Sequence, residues 1–340
     1  MSSDQNGGPL RAAAQSATAD NSTSAEDGYT AMMRRHLGPE IMALLADDDV
    51  RELSWNPQDA ALRVDRGGGG RVALDIRLDA RRVEMFLNVV AARENIALGR
   101  ETPSVQASLP HSDFQGARLQ GLVPPITIGP TFVIRRPAGR VFGLADWLAR
   151  GAVTDDIALA LAGIARRREN VLVIGSTGSG KTTLANTLLL EIATANPTDR
   201  IVILEDTTEI RCTSADHLAL RTADGYDLAQ LVKWTLRLSP DRIVVGEVRD
   251  GAALYLMDAW ATGHSGGVAT LHATDALGAL HRLDRLAQRE NVPPQPELVA
   301  EAIDWIITMA HRQVVGLARV RGLDAERRYI VEPFDKREMP

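Results

Sequence analysis

The sequence predicts an α/β fold in its second half, preceded by a smaller α+β domain. Beyond about residue 144, short apolar runs alternate with stretches of helical periodicity, which is the pattern of parallel strands joined by crossover helices. Before that point, frequent prolines and short apolar runs indicate strands and turns around a few helices. The length of 340 residues suits two domains of about 150 residues each.

The predicted organisation has three parts. Residues 1–28 are rich in Ser, Ala, Asn, Asp and Gly and poor in large apolar side chains, so we expect a disordered tail. The N-terminal α+β domain is expected over 29–138 and the α/β domain over 139–340. Each of the two domains is long enough to bury a core of its own.

The first domain is predicted to begin with helical periodicity near Tyr29. Two strands are expected on either side of the glycine run 67–70, which is not a phosphate loop because no helix with a lysine follows it. Asp79 is suited to cap a helix that runs to about Glu94. The prolines that follow favour short strands and turns.

The second domain is predicted to contain a parallel sheet. Its expected strands are Val171–Ile174, Ile201–Leu204, Ile243–Val245 and Gly267–Leu271. Its expected helices are Asp155–Arg167, Lys181–Ala195, Leu228–Leu236, Ala252–Ala261, Gly278–Arg289 and Glu297–Ala310, followed by a hairpin near 312–320 and 328–331. Ligands of open parallel sheets bind at the carboxyl ends of the strands, so residues just after these strands are the candidates for function.

Composition argues against several classes of function. Aromatic residues make up only 4% and the formal charge is −6, so no specific nucleic-acid binding is expected. Cys212 is the only cysteine, which leaves neither an intramolecular disulfide nor a cysteine-ligated zinc site and fits a cytoplasmic location. We identify no apolar run of the ~20 residues needed to cross a bilayer. The N-terminus does not have the pattern of a signal peptide.

The strongest chemical signal is the segment GSTGSGKTT over 175–183, which fits G-x-x-x-x-G-K-[ST] between an apolar run and a predicted helix. Glycines allow backbone amides to converge on phosphates at the start of a helix, where negative charge is stabilised. Lys181 would add a positive charge, and the Thr182 hydroxyl could ligate Mg²⁺. The expected nucleotide-binding residues are Ser176, Thr177, Gly178, Ser179, Gly180, Lys181, Thr182 and Thr183.

Carboxylates follow two of the predicted strands. Glu247 comes directly after one of them, where it could hold Mg²⁺ or position the attacking water, and Arg249 and Asp250 extend a polar cluster beside it. Glu205 and Glu209, with Asp206 between them, follow another strand and suit metal positioning and water activation. Glu205 or Asp206 could equally cap the next element.

A histidine and several arginines complete the set of candidates. His272 follows a third predicted strand, where an imidazole could sense or polarise the γ-phosphate. A guanidinium that neutralises charge developing on the γ-phosphate assists phosphoryl transfer. Candidates for that role, in the same subunit or across an interface, are Arg211, Arg221 and Arg237, and each of these three also fits a purely solvated surface position. Arg135 and Arg136, at the end of a predicted strand of the first domain, could also reach nucleotide across a domain cleft.

These segments in this order resemble the secretion-superfamily ATPases, which power type IV secretion, conjugation and type II or pilus machines. Residues 175–183 resemble their Walker A, 205–209 their Asp box, 238–250 their atypical Walker B and 262–273 their His box. Pro124-Pro125, the segment Phe132–Pro137 and the segment Arg168–Asn170 look most like the conjugal-transfer branch.

The resemblance implies a RecA-like P-loop ATPase domain, with ATP and Mg²⁺ as its ligands. It also implies a homo-oligomer, expected to be a hexameric ring, at the cytoplasmic face of the inner membrane and in contact with inner-membrane components of a secretion or conjugation machine. In this resemblance, Arg221 and Arg237 fall at positions where such ATPases carry arginines that contact the nucleotide. The tetra-cysteine metal site common in the type II and pilus branch is absent, since Cys212 stands alone.

The sequence thus predicts a Mg²⁺-dependent ATPase that energises a type IV secretion or conjugal transfer apparatus. The predicted catalytic residues are Lys181, Glu205, Glu209, Glu247, His272, Arg221 and Arg237, the predicted metal ligands are Thr182 and Glu247, and Arg135 is a predicted nucleotide contact. Two alternatives remain open: a pilus assembly or retraction ATPase, and a nucleotide-gated interaction protein with negligible turnover. A DNA translocase is disfavoured by the acidic balance of charge.

Overall fold

A computed structural model describes residues 27–66, 70–137, 141–223 and 225–335. The chain divides into two compact units, with the division between residues 139 and 140. Residues 1–26 of the predicted tail and 67–69 of the glycine run lie outside the described residues. Asp27 and Gly28 belong to a helix, so the first helix begins before Tyr29, where the sequence analysis placed its start.

The first unit contains a six-stranded antiparallel sheet in the order β3-β2-β1-β6-β5-β4. Its strands are β1 Glu52–Trp55, β2 Ala61–Asp65, β3 Arg71–Arg77, β4 Ser104–Ser108, β5 Arg118–Leu122 and β6 Thr131–Arg135. Its helices are α1 over 27–37, α2 Pro39–Ala46, α3 Ala80–Arg93 and α4 His111–Phe114. The expected pair of strands around the glycine run is present as the antiparallel pair β2 and β3.

The core of the first unit forms where α3 packs on the sheet. Phe86, Leu87 and Val90 lie on one face of α3 and share a buried cluster with the inward-facing Leu62 and Val64 of β2. The predicted cap is present, because the side chain of the residue before α3, an aspartate, accepts a hydrogen bond from the backbone amide two residues later (2.9 Å). Alternation in the strand and helical periodicity in α3 therefore both direct apolar side chains to the same cluster.

The second unit contains an eight-stranded mixed sheet in the order β14-β13-β12-β7-β11-β10-β8-β9. Its strands are β7 Val171–Gly175, β8 Ile201–Glu205, β9 His217–Arg221, β10 Arg242–Val245, β11 Val268–Leu271, β12 Trp305–Ala310, β13 Gln313–Leu323 and β14 Tyr329–Pro333. Its helices are α5 Leu144–Ala149, α6 Asp155–Arg167, α7 Lys181–Ala195, α8 Leu228–Thr235, α9 Ala252–Ala261, α10 Ala276–Ala287 and α11 Pro296–Ala302, with a 3₁₀ turn over Gln288–Glu290.

The six strands from β12 to β9 are parallel, and helices cover both faces of this part of the sheet. In β7, Leu172 and Ile174 pack into one buried cluster while Val171 and Val173 pack into another. A strand buried on both faces has no polar side to expose, which explains why the four predicted strands are apolar except for the buried Thr270. The carboxyl ends of the parallel strands lie along one border of the sheet, called here the carboxyl edge. The amino ends of the same strands lie along the opposite border, called the amino edge.

In the sheet of the second unit, two strands differ from the sequence-based expectation. The predicted helix Glu297–Ala310 is wrong beyond Ala302, because the chain turns there and Trp305–Ala310 forms β12, paired in parallel with β7. Its β-branched residues fill a buried strand next to β7 better than they would fill a helix. The edge strand β9 was not predicted, since its side chains are alternately exposed and half-buried and form no apolar run.

A buried polar cluster holds the amino edge of the sheet. Arg242, which is fully buried, donates to Asp199 Oδ2 (2.7 Å) and to the carbonyl oxygen of Gly266 (2.9 Å). Asn170 Oδ1 accepts from the backbone amides of Gly266 (2.7 Å) and Gly267 (3.0 Å). These bonds satisfy polar groups that would otherwise be costly to bury and fix the starts of β7, β10 and β11 relative to one another.

None of the helices in the described parts of the chain has the length and apolar character needed to span a bilayer.

Candidate active site

The loop of residues 175–180 joins β7 to α7 and requires glycine at its first position. Gly175 has φ +151°, and a Cβ atom there would lie 2.4 Å from the carbonyl oxygen of Met309 and 2.6 Å from Ser179 Oγ. Gly178 and Gly180 also have positive φ, +74° and +102°. The glycines therefore permit a backbone path that turns tightly into the start of α7.

The start of α7 is suited to bind phosphate. Among the described residues no side chain caps this 15-residue helix, so its first backbone amides are available to an anion, and the helix dipole stabilises negative charge there. Ser176, Thr177 and Gly178 are exposed, whereas Ser179 is buried. Ser179 Oγ has no hydrogen-bond partner within the described residues. The loop thus presents unused donors at the carboxyl edge, as a phosphate site requires.

Lys181 lies at the centre of this site and is only 7% exposed. Its Nζ donates to the carbonyl oxygens of Gly175 and Ser176 (3.0 Å each) and lies 3.3 Å from His272 Nδ1. Burial lowers the pKa of the ammonium group, and the negative charges of nearby carboxylates act in the opposite direction. The lysine is thus held by neutral oxygens of the loop, which a phosphate could replace.

His272 connects the lysine to Glu247. Its Nε2 lies 3.3 Å from Glu247 Oε1, while Nδ1 faces Lys181 Nζ. Because an ammonium group can only donate, Nδ1 accepts and the ring proton of a neutral imidazole lies on Nε2, directed at the carboxylate. A continuous chain of contacts therefore joins three side chains that the sequence predicts to act together, Lys181, His272 and Glu247.

Glu247 is held from its other side by Arg249. Arg249 donates to Glu247 Oε2 (2.8 Å) and to Asp206 Oδ2 (3.3 Å). Burial alone would raise the pKa of the Glu247 carboxyl group, but the hydrogen bond and charge of Arg249, with the charge of Lys181, lower it below its ordinary value. Glu247 is therefore ionised at neutral pH. From the sequence, Arg249 was assigned only to a polar cluster beside Glu247, and its direct contact with the carboxylate was not predicted.

The loop after β8 places Glu209 beside the start of α7. Thr182 Oγ1 donates to Glu209 Oε2 (3.1 Å). Glu205 is buried, and its Oε1 accepts from the backbone amides of Glu209 (2.9 Å) and Ile210 (2.8 Å). Of the two interpretations offered for Glu205, these bonds support the one in which it caps the following segment, and a direct catalytic role stays a prediction.

Within the second unit, two of the predicted arginines, Arg221 and Arg237, lie at opposite edges of the sheet. Arg221 is exposed at the end of β9, on the carboxyl edge and one strand beyond Glu205. Arg237 lies at the amino edge. The carbonyl oxygen of the next residue, Leu238, accepts a hydrogen bond from Nε of Arg200 (2.9 Å), and Arg200 directly precedes β8. Arg135, in the first unit, donates from Nε and Nη2 to one carboxylate oxygen, Oε2 of Glu52 (3.2 and 2.9 Å). Their roles at the nucleotide stay predictions.

The donor set is chemically suited to Mg²⁺. Thr182, Glu209 and Glu247 offer hydroxyl and carboxylate oxygens, which are the ligands this cation prefers. Within the described residues no group of three or more His, Cys, Asp or Glu side chains is placed to hold a metal ion on its own. A cation at this site would therefore depend on phosphate oxygens and water for the rest of its shell, as Mg²⁺ does in many nucleotide sites.

A parallel sheet with a glycine loop, a buried lysine and flanking carboxylates at its carboxyl edge places the second unit in the P-loop class of α/β proteins. Residues 96–321 match the family described as Type II/IV secretion system protein, and this chain belongs to that family. The resemblance found in the sequence is thereby confirmed.

Individual relatives define the branch. The conjugal transfer protein TrbB of Rhizobium radiobacter is 44% identical, over 80% of this chain and 83% of its own length. The type IV secretion system protein PtlH of Bordetella pertussis is 36% identical, over 64% of this chain and 73% of its own length. Similarity to the conjugal-transfer branch is therefore confirmed.

A solved structure shows the same fold. The pilus retraction motor PilT, crystallised with bound ADP, superposes with a TM-score of 0.59 at 20% identity, over 86% of this chain and 80% of its own. The predicted fold, a RecA-like domain preceded by a smaller α+β domain, is confirmed.

Proposed function

We propose that this chain is a Mg²⁺-dependent ATPase that energises a conjugal transfer or type IV secretion apparatus. The observation that carries the proposal is the chain of contacts from Lys181 through His272 to Glu247, with Thr182 and Glu209 beside it. The printed names of its relatives, conjugal transfer protein TrbB and type IV secretion system protein PtlH, support the choice of apparatus.

Binding of ATP would begin at the loop and the start of α7. The β- and γ-phosphates would accept hydrogen bonds from the loop amides and would replace the carbonyl oxygens that now hold Lys181 Nζ. Thr182 and Glu209 would hold the cation, which neutralises charge on the β- and γ-phosphate oxygens. Lys181 is already buried beside these groups, so little reorganisation of the side chain is required.

Hydrolysis would use Glu247 to orient water. The water oxygen forms a bond to the γ-phosphorus, the bond from that phosphorus to the β–γ bridging oxygen breaks, and ADP leaves with inorganic phosphate. Glu247, kept ionised by Arg249, would accept a hydrogen bond from the water and take its proton. His272 would hold Glu247 through Nε2 and would respond to the phosphate through its contact with Lys181.

The distribution of arginines supports an oligomer. Arg237 lies at the amino edge of its own sheet, so it could reach a nucleotide only from a neighbouring subunit, whereas Arg221 lies on the carboxyl edge. We propose a homo-oligomeric ring, a hexamer, that acts as a motor at the cytoplasmic face of the inner membrane. Its partners would be inner-membrane components of the transfer machine.

The test combines size-exclusion chromatography with light scattering and a phosphate-release assay, each with and without ATP and Mg²⁺. We expect an oligomer that releases phosphate only when both are present, and a Lys181→Ala variant that neither binds nor hydrolyses ATP. An oligomer that binds ATP tightly but releases no phosphate would contradict the proposal and support a nucleotide-gated interaction protein. A monomer without turnover would also contradict it.

A further inference from the structure

The segment that carries Glu209 has no regular structure of its own. Residues 206–216, between β8 and β9, form neither helix nor strand. Such a loop does not by itself fix the direction of a side chain, yet the Glu209 carboxylate lies against the Thr182 hydroxyl (3.1 Å). Something outside the loop must therefore hold its backbone in place.

Asn186 is one of the side chains that hold it. Its Oδ1 accepts from the backbone amide of Arg211 (3.0 Å), and its Nδ2 donates to the carbonyl oxygen of Glu209 (3.4 Å). Asn186 is only 2% exposed and lies one helical turn after Thr182 on α7, so both side chains lie on the same face of the helix. One residue of that face contacts the Glu209 carboxylate and the other contacts its backbone.

Glu205, at the end of β8, holds the same backbone segment. Its Oε1 accepts from the amides of Glu209 and Ile210. The two buried side chains, Asn186 on α7 and Glu205 at the end of β8, therefore satisfy four backbone groups of residues 209–211. We call this pair, Asn186 and Glu205, the loop clamp.

The hydrogen bonds that Asn186 makes to the loop explain why an asparagine stands at this position. An asparagine inside a helix has low helical propensity, and burying its amide is costly unless both polar ends are paired. An aliphatic side chain would fill the same space but would leave the Arg211 amide and the Glu209 carbonyl without this partner. The amide is explained by the backbone groups it binds, which belong to the segment that carries the predicted catalytic carboxylate.

We propose that Asn186 is a positioning residue for ATP hydrolysis, which acts by holding Glu209 against Thr182. This inference rests on the proposed function. The clamp makes the nucleotide-binding end of α7 and the Glu209 carboxylate move as one piece, so that a cation held by Thr182 meets Glu209 in a fixed geometry. Loss of the clamp leaves nucleotide binding at the loop intact and impairs the chemical step.

The experiment is a double-variant cycle on the full chain, with kcat for phosphate release and the dissociation constant of a fluorescent ATP analogue as readouts. We expect Asn186→Ala to lower kcat by about tenfold or more while the dissociation constant changes by less than about threefold. The double variant Asn186→Ala, Glu209→Gln should have the kcat of Glu209→Gln alone within about twofold, because Asn186 acts through Glu209.

Two further variants separate a loss of positioning from a loss of folding. Asn186→Asp preserves the volume and the acceptor for the Arg211 amide but places an oxygen against the Glu209 carbonyl, so it should reproduce the loss of kcat even where the alanine variant folds poorly. Asn170→Ala is the matched control, since it removes a buried asparagine with three hydrogen bonds to backbone groups at the amino edge. It should lower stability and leave kcat of the folded protein within about twofold.

The outcomes are distinguishable. Effects of Asn186→Ala and Glu209→Gln that multiply in the double variant, or an Asn186→Ala loss equal to that of Asn170→Ala, would overturn the positioning role while leaving the ATPase proposal intact. A Glu209→Gln variant with full activity would overturn it too. Absence of turnover in the unaltered chain would overturn the proposed function, and the inference with it.

Discussion

At the scale of single residues, the charged groups of the site already have polar partners within the protein. Lys181 is bonded to two carbonyl oxygens and lies near His272, and Glu247 lies between His272 and Arg249. A triphosphate would exchange some of these internal contacts for contacts to its own oxygens. Little side-chain reorganisation is then needed on binding, which is the condition for effective electrostatic catalysis.

Gly175 is the residue whose replacement should damage the loop most. In Gly175→Ala the new Cβ would meet a backbone carbonyl oxygen at 2.4 Å, at a φ that side chains disfavour, so we expect a loss of at least about 2 kcal/mol in stability. Thermal unfolding followed by circular dichroism measures it. Gly178→Ala is the matched control, because Gly178 also has positive φ but open space around it, and it should lose no more than about 1–2 kcal/mol. Equal losses would contradict the steric explanation.

Much of the site could be predicted residue by residue from the sequence, and what could not has a physical reason. The P-loop pattern identified Lys181 and Thr182 because phosphate binding restricts both residue type and spacing. Asn186 was missed because its function depends on a loop that is distant in sequence and has no pattern of its own. Arg249 was assigned only to a polar cluster, since only the structure shows that its guanidinium reaches Glu247 and Asp206.

At the scale of elements, the parallel strands bring the site together at one edge and a buried polar cluster holds the other edge. The four apolar strands were predictable because each is buried on both faces. The strand β12 was mistaken for the continuation of a helix, because a short buried apolar run has no periodicity that distinguishes the two. Its assignment depends on pairing with β7, where each residue is 134 positions away in the chain from its partner, as in Trp305 and Val171.

The amino-edge cluster should contribute strongly to stability and little to chemistry. Arg242→Met removes the buried partner of Asp199, so we expect a loss of about 3 kcal/mol or more in the free energy of unfolding. Urea denaturation followed by circular dichroism measures it. The control is Arg328→Met, an exposed arginine paired with Asp324 and Glu326, which should cost less than about 1 kcal/mol. A cost at Arg242 no greater than at Arg328 would show that the buried pair is not stabilising.

At the scale of the whole molecule, the proposed ring places Arg237 at the nucleotide of a neighbouring subunit. Arg237→Ala and Glu247→Gln subunits, each inactive alone, should regain activity when mixed and reassembled. In a random mixture about a quarter of the interfaces pair an intact Glu247 with an intact Arg237, so about a quarter of full phosphate release is expected. A mixture as inactive as its components, with mixed assembly confirmed by mass, would exclude this role for Arg237.

The central claim is that Glu247, at the carboxyl edge beside Lys181 and His272, supports the chemical step rather than nucleotide binding. The most direct measurement compares the unaltered chain with Glu247→Gln, which keeps the shape of the side chain and removes its charge. We predict an ATP dissociation constant within about threefold of the original and phosphate release at least about a hundredfold slower. Steady phosphate release by Glu247→Gln at the original rate would contradict the account.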